Sequence, residues 1–216
     1  MRPLKDFCRP TRTKYCIYIF YDFETTQNKR YSDKAKEHVP NIVWVQQFWA
    51  RCEEIEDSSI DCERCVRRRQ SFWNDSVGDL LNYLCEPRPW ASKIVAIAHN
   101  AKAFYLHFIL NRAIKPKWKP ELITNGLKME HLVFLDRVSF LPCALRKLPE
   151  AFGHQATKSW YLHYFNTEEY LDYVGPMLDI SYYDLVEMGG GQRELFLAWY
   201  ETWKSQLFHN ELVIEV

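Results

Sequence analysis

Apolar residues fall in short, patterned runs along the first two thirds of the chain. Residues 15–23, YCIYIFYDF, are rich in β-branched and aromatic side chains and read as a buried strand. The polar stretch QNKRYSDKAKEHVP (27–40) reads as a loop, and NIVWVQQFWA (41–50) as a second strand. A polar insertion, RCEEIEDSSIDCERC (51–65), precedes RRRQSFW (67–73), a third strand. In DSVGDLLNYLCE (75–86), Val77, Leu80, Leu81 and Leu84 recur at helical spacing behind Asp75 or Ser76 as the start. KIVAIAHN (93–100) reads as a buried strand. NAKAFYLHFILNRAI (100–114) reads as a helix capped by Asn100, with Phe104, Phe108 and Leu110 turned inward.

Residues 121–141 predict a hairpin about an Asn-Gly turn, and 142–153 a short helix stopped by Gly153. Residues 166–174 and 192–208 predict helices, with the GGG at 189–191 as a flexible turn. This order implies an α/β fold, a mixed β-sheet flanked by helices. The expected organisation is an N-terminal tail at 1–13 and one domain at 14–216, with a Cys-containing insertion about 51–66.

Composition fits that picture. The 216 residues are 47% hydrophobic, 16% aromatic and 26% charged, a globular balance. The 28 basic and 28 acidic residues cancel overall but not locally. Residues 1–166 carry a net +8 and residues 167–216 a net −8. A basic body suits a polyanion, and the acidic region suits shielding of that surface or a protein partner; two solvated surfaces fit equally. No apolar run approaches the ~20 residues a membrane span needs, and the N-terminus lacks a signal-peptide core. The expectation is an intracellular protein, nuclear or cytoplasmic, with no membrane partner. Seven cysteines, an odd number, exclude a complete disulfide framework.

The first strand ends unusually. Alternation puts Cys16, Tyr18, Phe20, Asp22 and Glu24 on one face, so two acids close an otherwise apolar row. Such close carboxylates repel, and one takes up a proton unless a cation lies between them. Their oxygens suit Mg²⁺ or Mn²⁺, and a pair of such ions is a standard means of phosphodiester hydrolysis.

Together YDFETT (21–26), AHNAKAFYLHFIL (98–110), VFLDRVSFLPCALRKLPEAFG (133–153) and YFNTEEYLDYVGP (164–176) resemble the 3′–5′ exonuclease domain of family B DNA polymerases. The similarity is greatest to the protein-primed kind of viruses, linear plasmids and Maverick/Polinton-type mobile elements, and it spans nearly the whole chain. The resemblance implies an RNase H-like fold and metal-dependent removal of the 3′ nucleotide. It assigns metal binding and catalysis to Asp22 and Glu24. It assigns contact with a single-stranded DNA 3′ end to Thr25, Asn100, Phe104 and Leu145. Asp136 resembles an acid common in the family, with a structural role expected in bonding backbone at the helix start.

The chain departs from the pattern at three places. Tyr105 stands where the family's second motif has Asp, and a phenol supplies no charge at neutral pH. The third motif, Tyr-x-x-x-Asp, is missing; Tyr183-x-x-x-Glu187 and Tyr164-x-x-x-Glu168 come nearest. In the family it follows a segment like HNELVIEV, where this chain stops, so truncation is expected and the polymerase domain with it. Ala144 replaces a hydroxyl residue ahead of Leu145. The expectation is an impaired exonuclease-type part of a DNA-directed DNA polymerase, with a weak or partial Mg²⁺ or Mn²⁺ site. Its partners are a single-stranded DNA 3′ end and a missing polymerase domain or protein at the acidic C-terminal region. The alternative is a non-catalytic single-stranded DNA- or protein-binding module, or a decaying mobile-element fragment.

Three further features stand apart. Cys52, Cys62 and Cys65 give three thiols of a Zn²⁺ site that needs a fourth ligand such as His38, or they are unliganded cysteines. Arg67–Arg69 and KPKWKP (115–120) suit phosphate contact or a solvated turn. His99 and His107 read as satisfied interior histidines.

Overall fold

A computed structural model describes residues 16–32, 35–49, 61–62, 67–113, 121–123, 125–129, 132–153, 160, 165–166, 170, 173–183, 185–186, 188–205 and 207–209. The chain forms two compact units, one of residues 1–25 with 38–143 and one of 26–37 with 144–216.

The first unit is built on a seven-stranded mixed sheet. The strands of this sheet are β1 (Cys16–Ser32), β2 (Ala35–Trp49), β3 (Arg69–Trp73), β4 (Lys93–Ala98), β5 (Glu121–Ile123), β6 (Gly126–Met129) and β7 (Leu132–Asp136), in the order β3-β2-β1-β4-β7-β6-β5, with residues 26–37 of β1 and β2 counted in the second unit. β4 lies parallel to β1, pairing Cys16–Phe20 with Lys93–Ile97. β7 lies parallel to β4, from Ile94 opposite Leu132 to Ala98 opposite Asp136. β2 with β3, β5 with β6, and β6 with β7 are antiparallel.

Alternation explains the packing. Ile17, Ile19, Tyr21 and Phe23 of β1, Ile94 and Ala96 of β4, and Leu132 and Phe134 of β7 share one core. Two helices bury their apolar sides in that core: α1 (Ser76–Cys85) through Leu80 and Leu84, and α2 (Leu106–Ala113) through Ile109. Cys16, Val95, Val133 and Leu135 form a smaller cluster from the alternate positions. Strands buried on both faces lose the polar half of the alternation and become continuously apolar, as KIVAIA is. The Asp75 side chain caps α1, accepting from the Gly78 N–H at 3.3 Å. At Gly126 a Cβ would collide with the Phe134 carbonyl, so the β6–β7 pairing admits only glycine there.

The second unit contains α3 (Leu148–Ala151), β8 (Val174–Pro176), α4 (Gly190–Trp203) and β9 (Leu207–His209). Phe165, Leu178, Tyr183 and Phe196 are its buried centre, ringed by aromatics including Trp160 and Trp199. The Tyr200 hydroxyl donates to the Leu178 carbonyl at 2.9 Å. Gly153 takes a positive φ of 73° just after α3, the expected stop.

Several expected elements differ. Residues 27–32 and 35–40 belong to β1 and β2, not to a loop. Lys29, Arg30, Tyr31, Ser32, Lys36 and Glu37 are exposed, so no apolar alternation marks this part as strand. The helix expected from Asn100 opens instead with a π-helical turn, Ala101–Tyr105. Asn100 is left-handed, φ 57°, and makes no side-chain cap. The wider π turn shifts the helical phase, so Leu106, Ile109 and Ala113 are the buried residues. Phe104, Phe108 and Leu110 are only partly buried. Of the helix expected over 166–174, residues 167–169 and 171–172 lie outside the described residues, and Val174 opens β8; the end of the helix expected over 192–208 gives way to β9, whose antiparallel pairing with β8 overrides local propensity. Gly190 and Gly191 open α4 rather than forming a flexible turn.

Candidate functional site

The parallel pairing brings three strand ends together. β1 leaves β4 after Phe20, β4 ends at Ala98 and β7 at Asp136. Asp22 follows on β1, the turn His99-Asn100 on β4, and Asp136 closes β7. The carboxyl ends of parallel strands are where open α/β sheets bind ligands.

Asp136 is 5% exposed and bonds backbone. Its Oδ1 accepts from the Ala101 N–H at 3.1 Å and the Val138 N–H at 3.1 Å. One carboxylate thus ties the π turn after β4 to the 3₁₀ turn after β7, the structural role expected of it.

Asp22 is half-buried and meets a side chain instead. The Tyr105 hydroxyl donates to Asp22 Oδ1. Burial holds the Tyr105 phenol well above the ordinary phenol range, and the carboxylates of Asp22 and Glu24 push it further the same way. The phenol therefore keeps its proton at neutral pH and offers it to Asp22. Its ring packs edge-on to Phe23 at 5.5 Å between centroids and lies 6.1 Å from the ring of Tyr21. Burial likewise raises the Tyr21 phenol, with Asp136 and then Asp22 adding to the effect. Glu24 is half-buried and two residues beyond Asp22, the same-face spacing expected from the sequence.

Beside the acids, Thr25 Oγ1 lies 3.0 Å from His38 Nδ1. The His38 ring stands perpendicular to Phe104 at 5.1 Å, and Phe104 packs against Phe108 at 5.1 Å. Asn100 is exposed, and the Phe104 N–H donates to its carbonyl at 3.2 Å. Asp22, Glu24, Thr25, Asn100, Phe104 and Tyr105 thus all belong to the first unit, on β1 just past its pairing with β4 and in the turn and helix that follow β4. Leu145 falls in the second unit, 37% exposed, at the start of a 3₁₀ turn.

Comparison with family models, with curated proteins and with solved structures gives no match. The site is therefore weighed on its own chemistry. Asp22 and Glu24 lie within β1 rather than at its end, since the strand runs on to Ser32. The donors where β1 leaves β4 are two carboxylates and a protonated phenol that already occupies one Asp22 oxygen. Among the described residues no three His, Cys, Asp or Glu side chains cluster as a metal centre would require. This set does not fit a two-ion centre, and no hydrolytic step through one follows from it.

The remaining expectations divide. Cys62 is buried in the main core, while Cys52 and Cys65 lie outside the described residues. Arg68 is 3% exposed, which removes it from any phosphate-binding surface, and its N–H donates to Asp61 Oδ1 at 3.1 Å. KPKWKP lies outside the described residues. His107 is exposed on α2, not interior. His99 is half-buried, and its Nδ1 accepts from Arg137 Nε at 3.0 Å. A guanidinium only donates, so this His99 nitrogen carries no proton. Tyr183, the nearest candidate for the third motif, is a buried core residue of the second unit whose hydroxyl contacts Met177 Sδ at 3.7 Å. Two contacts escaped the sequence reading: Thr25 with His38, which was expected only as a possible Zn²⁺ ligand, and His99 with Arg137, which also holds the Cys143 carbonyl at 2.7 Å. Neither leaves a local signal. Among the described residues no helix is long and apolar enough to cross a membrane.

Proposed function

We propose that this chain is an RNase H-like, 3′–5′ exonuclease-type module of protein-primed DNA polymerase ancestry, which binds a single-stranded DNA 3′ end and hydrolyses it poorly or not at all. The observation that carries this reading is the Tyr105 hydroxyl on Asp22 Oδ1 at the carboxyl ends of the parallel strands. A phenol there interacts with the acid pair, where the resemblance implies a carboxylate. Asp22 and Glu24 then hold at most one divalent ion, weakly. The half-buried Phe104, braced by His38 and Phe108, supports a role in stacking on an unpaired base. The mixed sheet with helices packed on it supports the RNase H-like assignment.

Labelled single-stranded DNA with Mn²⁺ tests the activity. The expected result is binding at low salt with no shortening from the 3′ end. Digestion that disappears in Asp22→Ala would overturn the inactive reading. Failure to bind the oligonucleotide would overturn the DNA reading.

A further inference from the structure

Three elements of the first unit meet at an exposed histidine. Thr25 lies on β1, His38 on β2, its neighbour in the sheet, and Phe104 in the π turn after β4. His38 is exposed, yet its ring meets two side chains. Its Nδ1 lies 3.0 Å from Thr25 Oγ1, and the ring stands perpendicular to Phe104 at 5.1 Å between centroids. Phe104 in turn lies 5.5 Å from the Tyr105 ring, and the Tyr105 hydroxyl donates to Asp22. An unbroken series of contacts therefore runs from Thr25 through His38, Phe104 and Tyr105 to Asp22.

Water satisfies the nitrogen of an exposed imidazole about as well as a hydroxyl does, so the bond to Thr25 adds little to the stability of the fold. Its effect falls on the neighbours. A threonine hydroxyl rotates until a partner fixes it, and an aromatic ring changes rotamer unless another group blocks it. Side chains already set in place lose less entropy when a ligand arrives. The His38 tautomer also decides what Thr25 offers. With Nδ1 unprotonated, the Thr25 hydroxyl donates to it and keeps its lone pairs for an incoming donor. With Nδ1 protonated, the hydroxyl accepts from it and its own hydrogen is left for an incoming acceptor. A nucleic acid 3′-hydroxyl both donates and accepts, so it pairs with either form. From this geometry we infer that His38 is a positioning residue for a single-stranded DNA 3′ end. It presets the Thr25 hydroxyl for the terminal 3′-hydroxyl and the Phe104 ring for the terminal base, and acts only through these two neighbours. This role rests on the single-strand reading proposed above and adds to it a residue from a second strand.

Fluorescence anisotropy with two labelled probes, a linear oligothymidylate and the same sequence closed into a circle, separates the two claims. The linear probe has a 3′ end and the circle has none. Circular dichroism checks the folding of each variant. His38→Ala is expected to weaken binding of the linear probe about tenfold, within the range of one lost stacking contact, and binding of the circle by less than about twofold. His38→Asn keeps a polar group near the Nδ1 position, and His38→Phe keeps a ring beside Phe104; each should restore part of the loss. Long-range ¹H–¹⁵N NMR gives a readout without DNA: the His38 Nδ1 signal should move in Thr25→Val. A preference for the linear probe that survives His38→Ala overturns the positioning role and leaves the single-strand reading standing. Equal losses on the two probes, or an Nδ1 signal unmoved by Thr25→Val, overturn the positioning role as well. A wild-type protein that binds neither probe, or both alike, overturns the 3′-end reading and the role of His38 with it.

Discussion

Asp136 and Asp22 occupy equivalent places, at or just past the carboxyl ends of parallel strands on either side of β4, and they are used differently. Asp136 is buried, and two backbone N–H groups hold one of its oxygens. Asp22 is half-buried, and a tyrosine hydroxyl holds it. Backbone donors cannot be exchanged by substitution, so Asp136 is bound into the fold. A side-chain donor can be replaced, so the surroundings of Asp22 are adjustable. The difference separates an acid that positions a turn from an acid held by a side chain.

The comparison is sharpened first by removing Asp136. Asp136→Ala leaves the Ala101 and Val138 N–H groups without their acceptor, at about 1–3 kcal/mol for each buried donor. The expected loss is about 2–4 kcal/mol in urea unfolding, with Asp136→Asn much milder because an amide oxygen still accepts. A stability loss for Asp22→Ala as large as that for Asp136→Ala would erase the distinction between the two acids.

A smaller effect is expected at alkaline pH. The Tyr105 phenol is raised above its ordinary value of 10.0, so its contribution is complete below that pH and is lost as pH climbs toward the folded-state value. Each such phenol contributes a slope of up to about 1.4 kcal/mol per pH unit. Tyr21, raised by burial and by Asp136 and Asp22, acts in the same window. Unfolding free energy above pH 10 should therefore fall less steeply in Tyr105→Phe than in the parent chain. Equal slopes would show that the phenol titrates no differently in the folded and unfolded states.

How much of this was legible depended on which faces are buried. Strands β1, β4 and β7 were readable because apolar residues fill one or both faces from Cys16 to Phe23, Lys93 to Ala98 and Leu132 to Asp136. The outer half of β1 was not, because exposed Lys29, Arg30 and Tyr31 follow no apolar period. Asp22 and Glu24 stood out as acids on an apolar row, and Tyr105 as a departure from a familiar motif. The contact between Tyr105 and Asp22 was hidden, because it spans 83 positions and depends on the π turn that sets the phase of α2. β8 and β9 were hidden for a related reason: a pairing between Val174 and His209 leaves no mark in either local segment.

The central claim is that Tyr105 blunts an acid pair otherwise suited to divalent ions. Titration of Mn²⁺ into the parent chain and into Tyr105→Asp, read by the paramagnetic signal of free Mn²⁺, tests it most directly. A third carboxylate in place of the phenol should tighten binding about tenfold or more, equivalent to ~1.4 kcal/mol, and Asp22→Ala should abolish the gain. Equal Mn²⁺ affinity in the parent and Tyr105→Asp chains, or tight binding of two ions by the parent chain, would contradict the account.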